Sequence, residues 1–377
     1  MGYVDGGSAA IASLNAKLKE RGGEIRFETP ATELIMDASG KVAGVVAAKR
    51  DGAKLRVHAR SVVLATGGFG GNEAMMKEVF GEKVVPGAIA SDSGDGIRMA
   101  WKAGAAKYGL ETAQFFYADA TPEAAKMATV GDVWNLVEFP LLWVNENGKR
   151  FCNEEVVFDY SQMGNALYEQ PDAVAWMVFD QGLVDTVKAK GTIALADIYG
   201  AWKDAPQRYM EFNEPCDTAA NYRGQNTPYD FTPFLEEGQK AGIVVKADRL
   251  EDLGSKAGIN VENYRRTAAS YAAMVKGGKD SQFFKSAKYL YSLDKGPYYA
   301  VKITTRCLGT LGGVKIDEGI RAVDEKGAPI PGLWVAGADA GGMYGNSYVQ
   351  VEGGTLGFAY TSGRIAGQNA AASALAK

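Results

Sequence analysis

The sequence predicts an α/β fold in which one glycine-rich unit is interrupted by another, and three observations carry that reading. Two short apolar runs, VVLA (62–65) and LWVAG (333–337), lead into glycine clusters with a helix beyond, as expected of strands buried on both faces of an α/β sheet. Glycine makes up 47 of the 377 residues, against an average usage of about 7%, and marks places where backbone bends tightly or comes close to a partner. Between about 107 and 296 the aromatics thicken, from Phe115 and Phe116 through Trp134, Trp143 and Trp176 to Trp202, and from 297 strands and glycine-rich turns return. The chain divides as 1–106, 107–296 and 297–377, the first and last belonging together.

SAAIASLNAKLKE (8–20) places Ile11, Leu14 and Leu18 at helical spacing, with Ser8 as N-cap and Gly22-Gly23 as stop. EIRFET (24–29) alternates as a strand, and three more strands follow through VVLA, turning at Ser39-Gly40 and Asp51-Gly52. His58 falls in this meander as a plain strand residue. Beyond it a helix begins at Glu73, capped by Asn72, and another passes through Met99 and Ala103, with Asp95 as its candidate cap. In the aromatic stretch, residues 260–276 form a helix with Val261, Tyr264, Ala268 and Tyr271 on its apolar face, stopped by Gly277-Gly278. A last helix runs from about 354 to 373.

Composition removes several function classes. The 46% apolar and 23% charged content is globular and excludes disorder or a collagen repeat. A net charge of −4, from 41 basic and 45 acidic residues, favours neither nucleic acid nor a membrane surface. One histidine excludes His–Cys zinc sites and two-histidine motifs, so no metal is expected. Cys152, Cys216 and Cys307 are scattered and odd in number and build no disulfide framework. No apolar run is long enough to span a bilayer, and Met1–Gly7 has neither a basic nor an apolar leader segment. A soluble, cytoplasmic protein is the expectation.

Three glycine clusters are where chemistry would sit. In ATGGFGGN (65–72), glycine lets backbone N–H groups approach a phosphate, sugar or flat ring, or it simply makes a strand-to-helix turn. SGDGI (93–97) has the same two readings. The richest is 332–367, where a strand ends at Gly337-Ala338-Asp339 and a loop carries Met343, Tyr344, Asn346 and Tyr348. Gly353-Gly354 then opens a helix whose free N–H groups favour an electron-rich acceptor.

ATGGFGGN, SGDGI, the spacing Gly148-x-Arg150-Phe151-x-Asn153-Glu154, PYYAVK (297–302), TLGGVKID (310–317) and GLWVAGAD…GGTLGFAYTSGRIAG occur in this order along nearly the whole chain. Together they resemble the flavoprotein family of fumarate reductases, succinate dehydrogenases, urocanate reductases and 3-ketosteroid dehydrogenases. The resemblance implies a Rossmann-like FAD-binding domain interrupted by an α+β capping domain that closes over the substrate. It implies FAD as cofactor, with contacts at Ala31 and Thr32 near the adenosine and at Ala65, Thr66, Gly67, Gly68 and Asn72 along the flavin. Asp95, Gly337 and Asp339 follow. Gly354, Thr355 and Leu356 would lie at a helix N-terminus facing the flavin, where the helix dipole favours negative charge on the ring.

Two departures from the family pattern matter. FAD proteins of this kind open with a strand, GxGxxG and a helix that hold the pyrophosphate, and no GxGxxG occurs in residues 1–30. The resemblance thus implies an N-terminally truncated FAD-binding domain. A longer parent or a partner chain would supply the missing segment, or the chain would not bind FAD by itself. At the substrate site, Phe158 stands where the family's proton-donating arginine aligns, Gly309 stands for a histidine, and Asn346-Ser347-Tyr348-Val349-Gln350 replaces an arginine-bearing loop. Without those groups a small dicarboxylate loses its charge-assisted hydrogen bonds, which argues against fumarate and succinate.

Tyr348 then lies where the ketosteroid dehydrogenases place a substrate-facing tyrosine, and is the leading candidate for proton transfer. Arg306, Tyr117 and Glu352 are further candidates; their alternative readings are a surface arginine, a core aromatic and a solvated charge. The expected function is FAD-dependent reduction, or formation, of an activated C=C bond in an enone, acrylate-like or polycyclic substrate. The alternative is a non-catalytic or partner-dependent fragment of such a flavoprotein.

Overall fold

Strand pairing between distant segments, more than chain order, decides the architecture. The computed structural model describes residues 6–81, 84–86, 90–127, 135–191, 194, 228–345, 347–349, 351 and 353–376. Trp134, Trp202 and Cys216 lie outside them, as does the side chain of Phe116. Helix α1 (Gly6–Glu20) buries none of its residues, and Ile11, Leu14 and Leu18 are 54%, 51% and 46% exposed. The strand expected over 24–29 does not form. Glu28 takes a left-handed φ of 50°, and a non-glycine residue there interrupts extended backbone.

The next three strands, β1 (Ala31–Met36), β2 (Val42–Ala48) and β3 (Lys54–His58), form an antiparallel meander in that order. Its turns use Gly40 and Gly52, both at φ 81°, as their dipeptides predict. His58 pairs with Gly44 at an exposed strand position. β4 (Val62–Leu64) runs parallel to the distant β14 (Pro329–Val335), and β13 (Arg321–Val323) flanks β14 on the other side. β4 therefore ends this three-stranded sheet. Expected to be buried on both faces, it buries Val62 and Leu64 but leaves Val63 38% exposed at the end of the sheet, although its neighbour Trp334 on the same face is packed on Ala366 and Ala370.

α2 (Glu73–Phe80) begins as predicted, with Asn72 Oδ1 accepting from the Met75 N–H at 3.1 Å. The cap of α3 (Asp95–Lys102) is Gly94, left-handed at φ 71°; Asp95 is the helix's first residue, not its cap.

The aromatic unit is a second sheet. β5 (Val85–Pro86), β7 (Ala113–Ala120), β8 (Leu142–Asn145), β9 (Val174–Asp180), β10 (Val244–Ala247) and β11 (Tyr298–Thr310) build it, while β6 (Lys107–Tyr108) pairs with β12 (Gly313–Val314). Every residue of β9 is buried, since helices cover both faces. α4 (Tyr160–Tyr168), α5 (Gln181–Lys190) and α6 (Thr232–Lys240) pack on one side, α7 (Leu253–Lys256) and α8 (Val261–Gly277) on the other. Side chains alternate accordingly: Ala175, Met177 and Phe179 enter the first core, Trp176 and Val178 the second. The predicted apolar face of α8 supplies Tyr264, Ala268 and Tyr271, and each large side chain so buried contributes roughly 1.5–3 kcal/mol.

Arg150 and Glu154 of the GxRFxNE spacing are wholly buried. Arg150 donates to Glu154 at 2.8 and 2.6 Å and to Asp280 at 2.8 Å, and Lys285 Nζ lies 3.4 Å from Glu154. Burial works against the Arg150 charge, and the hydrogen bonds to Glu154 and Asp280 more than reverse it.

β11 joins the two units. Its first half pairs with β9 and β10, its second half with β7 and β5. Tyr299, Val301 and Ile303 enter the aromatic core, whereas Cys307 enters the core that holds Leu64 and Val335. α9 (Gly354–Leu375) buries only Ser362, Ala366 and Ala370. Among the described residues no helix is long and apolar enough to cross a membrane.

Candidate functional site

β4 and β14 end side by side, and the first and third glycine clusters leave from there. The Asp339 carboxylate, fully buried, accepts from the Thr66 N–H at 2.5 Å and the Thr66 hydroxyl at 2.9 Å. The Gly96 N–H donates to that hydroxyl at 3.1 Å. Burial pushes the Asp339 carboxyl up to about 7, against the pull of the Thr66 hydrogen bonds.

The first two clusters are knitted together. Gly94 N–H donates to Gly68 O at 3.0 Å, Asn72 Nδ2 to Ser93 O at 2.8 Å, and Phe69 N–H to Thr310 Oγ1 at 2.9 Å. A Cβ at Gly67 would lie 2.6 Å from Asp92 Oδ1, and one at Gly68 would strike Thr310 Oγ1. Glycine is required there for the protein's own close packing. Ala65 and Thr66 remain exposed at the strand end. Asp95 is held below the usual carboxylate range by the Ser93 hydroxyl, with Arg98 adding to it.

The third cluster is open. Gly353, left-handed at φ 67°, precedes α9 without any side-chain cap, which leaves the Thr355 and Leu356 N–H groups without an intrahelical acceptor. A Cβ at Gly345, Gly353 or Gly357 would meet nothing within 4 Å, and one at Gly337 nothing nearer than 3.8 Å. Over this helix start lies the loop of Tyr344 and Tyr348, whose rings meet edge to face at 5.2 Å. Tyr348 is buried, and its hydroxyl accepts from Gln114 Nε2 at 3.1 Å. Asn165 Nδ2 and Thr112 Oγ1 anchor the loop by donating to Tyr348 O and Gly345 O at 2.9 and 2.8 Å.

The sequence candidates are brought together unequally. Thr66, Gly67, Gly68, Asn72, Asp95 and Asp339 share the knitted cluster, while Gly354, Thr355 and Leu356 line the open one with Tyr348. Ala31 and Thr32 sit in the meander, where Thr32 Oγ1 donates to Val46 O at 3.3 Å; neither shares a hydrogen bond with the Asp339 cluster among the described residues. Arg306 is no free surface cation, because it is ion-paired with the buried Asp119. Glu352 lies outside the described residues with Asn346 and Gln350, and so does the side chain of Tyr117.

Sequence reasoning missed three participants, Thr310, Asp92 and Gln114, and named Tyr344 only as a loop residue. Thr310 and Asp92 abut Gly68 and Gly67, Tyr344 lies against Gly354, and Gln114 holds Tyr348. Thr310 opens a motif already noted; nothing marked Gln114. Phe158 packs on Tyr289 with ring centres 5.3 Å apart, and a Cβ at Gly309 would lie 3.5 Å from Gln114 Oε1.

An exposed strand end at Ala65 and Thr66, an uncluttered Gly337, a buried carboxyl and an uncapped helix start suit a flavin dinucleotide. The sequence profile of the FAD binding domain family matches residues 2–356. The chain belongs to that family. It is 29% identical over 372 residues to a vinyl phenol reductase of Lactiplantibacillus plantarum, covering 95% of this chain and 70% of that protein. To an NADH:acrylate oxidoreductase of Vibrio harveyi it is 32% identical over 370 residues, covering 96% of this chain and 32% of that protein. A solved 3-ketosteroid delta1-dehydrogenase of Sterolibacterium denitrificans, in complex with 1,4-androstadiene-3,17-dione, matches 95% of this chain and 62% of its own at 25% identity and TM-score 0.64. The chain thus spans from 32% to 70% of the length of these proteins. Fumarate, urocanate and 3-oxosteroid flavoproteins share this kinship, as the ordered motifs imply, and FAD is the cofactor.

Proposed function

We propose that this chain carries the substrate side of an oxidoreductase that reduces, or forms, an activated C=C bond in a neutral substrate. In this reading residues 1–106 and 297–377 make the FAD-binding unit and 107–296 a cap over the substrate. FAD, when bound, supplies the hydride chemistry. Ala65, Thr66 and Gly337 would hold it at the strand ends, with the Thr355 and Leu356 N–H groups placed to favour negative charge.

The observation that carries the reading is the buried Tyr348 phenol, oriented by Gln114 beside the uncapped start of α9. Its O–H would face the substrate, to donate a hydrogen bond to it or exchange a proton with it, and the Tyr344 ring helps exclude water. A neutral substrate is supported by Gly309, which brings no charge beside Gln114, and by Arg306, which is committed to Asp119. Tyr348→Phe in the flavin-loaded protein is expected to slow turnover of cyclohex-2-enone or 4-vinylphenol by about 100-fold or more, followed as flavin reoxidation; an unchanged rate removes Tyr348 from the reaction.

One flank favours a second reading. The exposed apolar residues of α1, the edge of β4 unpaired among the described residues and the outer face of α9 suit a chain that works with a further polypeptide segment, in a longer parent or a partner. Adding FAD to the purified chain distinguishes the two. Visible flavin absorption and a raised melting temperature support the first, since a ligand of the native state stabilises it by about 2.7 kcal/mol at 100 times its Kd. Neither effect with the chain alone, and both once the segment is supplied, supports the second.

A further inference from the structure

We propose that Gln114 is the specificity-determining residue of this site: its amide N–H fixes Tyr348 as a hydrogen-bond donor, aimed with Tyr344 at a neutral acceptor oxygen of a conjugated ligand. The inference rests on the reading that Tyr348 faces the substrate, and adds what sets its direction and what it selects.

A phenol has one proton to give and an oxygen that accepts. Gln114 Nε2 reaches that oxygen at 3.1 Å, so the Tyr348 proton must point elsewhere, and among the described residues no group accepts it. The Tyr344 hydroxyl oxygen is also buried, with no hydrogen-bond partner among the described residues. It stands 2.7 Å from where a Cβ at Gly354 would be, directly over the start of α9. Two shielded phenol protons without acceptors among the described residues are costly, about 1–3 kcal/mol for each group left unsatisfied, and buried polar groups in native proteins are as a rule paired. A ligand oxygen between them satisfies both.

The same geometry disfavours an anion. Gln114 Oε1 occupies the space beside Gly309, where any longer side chain would project, and it presents a partial negative charge. The cation on the adjoining strand, Arg306, is already neutralised by Asp119. A carboxylate would find donors there, with the Arg306 charge already taken by Asp119, whereas a carbonyl or phenol oxygen needs only the donors.

Two substitutions of nearly the same shape test this in the full chain supplied with FAD, with cyclohex-2-enone as neutral probe and acrylate as anionic probe. Gln114→Met removes the amide donor and is expected to weaken enone binding about tenfold. Gln114→Glu turns the partner into an acceptor that captures the Tyr348 proton, and is expected to weaken it further, by about 50-fold. A merely structural glutamine would give the opposite order, because glutamate keeps its polarity and shape. The Tyr348 phenolic-carbon resonance in 13C-tyrosine-labelled chain, identified by its loss in Tyr348→Phe, needs no flavin; it should move in the same direction in both variants, and further in Gln114→Glu. Melting temperatures check that both fold. Glu binding the enone as well as or better than Met, or a resonance unmoved by either, overturns the proposal. If Tyr348→Phe leaves enone binding and turnover unchanged, the underlying reading fails instead. Wild type binding acrylate as tightly as the enone overturns the selectivity claimed for Gln114.

Discussion

The buried charges of the two units are arranged on opposite plans. In the aromatic unit Arg150 and Lys285 face Glu154 and Asp280, two cations against two carboxylates, and the guanidinium lies 5.5 and 5.2 Å from the ring centres of Tyr271 and Phe283. In the glycine-rich unit Asp339 is just as buried, but its hydrogen bonds come from the backbone and hydroxyl of Thr66, and the charge of Asp92 works against its ionisation. The first arrangement is electrically closed and holds loops together. The second is unbalanced, at a strand end that stays exposed through Ala65 and Thr66. Buried charge that cancels indicates architecture; a buried carboxyl with a like charge nearby instead keeps its proton to higher pH.

Removing Arg150 should break the closed arrangement most severely. Arg150→Met leaves two buried carboxylates with Lys285 alone, and a loss of about 3–5 kcal/mol is expected in urea denaturation; a loss below about 1 kcal/mol would remove the distinction between the two sites. Asp339 should give a smaller effect that depends on pH. Its carboxyl is raised from 3.8 to about 7, so the native state holds a proton that the unfolded chain releases. The stability this contributes is complete below about pH 4 and is lost as pH rises through about 7. Thermal melts of wild type should weaken by about 2 kcal/mol between pH 5 and 8, a slope that Asp339→Asn should remove. Parallel curves for the two proteins would show that Asp339 is ionised inside. The smallest effect belongs to the open flank: Leu14→Lys on α1 should change the stability of the chain by no more than about 0.5 kcal/mol. A larger loss would mean that this helix is packed in the folded chain.

Local chemistry made part of this fold legible. The α8 face, the Asn72 cap and the meander turns follow from spacing and dipeptides, since their causes lie within a few residues. EIRFET misled because alternation reports a strand only where a neighbour pairs with it, and Glu28 adopts a conformation that alternation does not encode. β4 looked doubly buried because its composition is apolar, while its place at the sheet's end depends on β14. Glycine content alone did not separate two causes: Gly67 and Gly68 are packed on Asp92 and Thr310, whereas Gly345, Gly353 and Gly357 face open space. Tyr348 became a candidate through family resemblance. Gln114 did not, because it reaches Tyr348 across 234 positions of sequence.

The pairing of β4 with β14 also imposes a schedule. Thr66 and Asp339 are separated by 273 positions, so at roughly 5–20 residues per second a ribosome releases the second on the order of tens of seconds after the first. Until then VVLA is an emerged apolar strand without β14, while β7 and β10 emerge in turn and themselves wait for β11. The site at the strand ends is thus among the last parts of the molecule to exist during its manufacture, and its vulnerability to aggregation is greatest in the interval before β14 arrives.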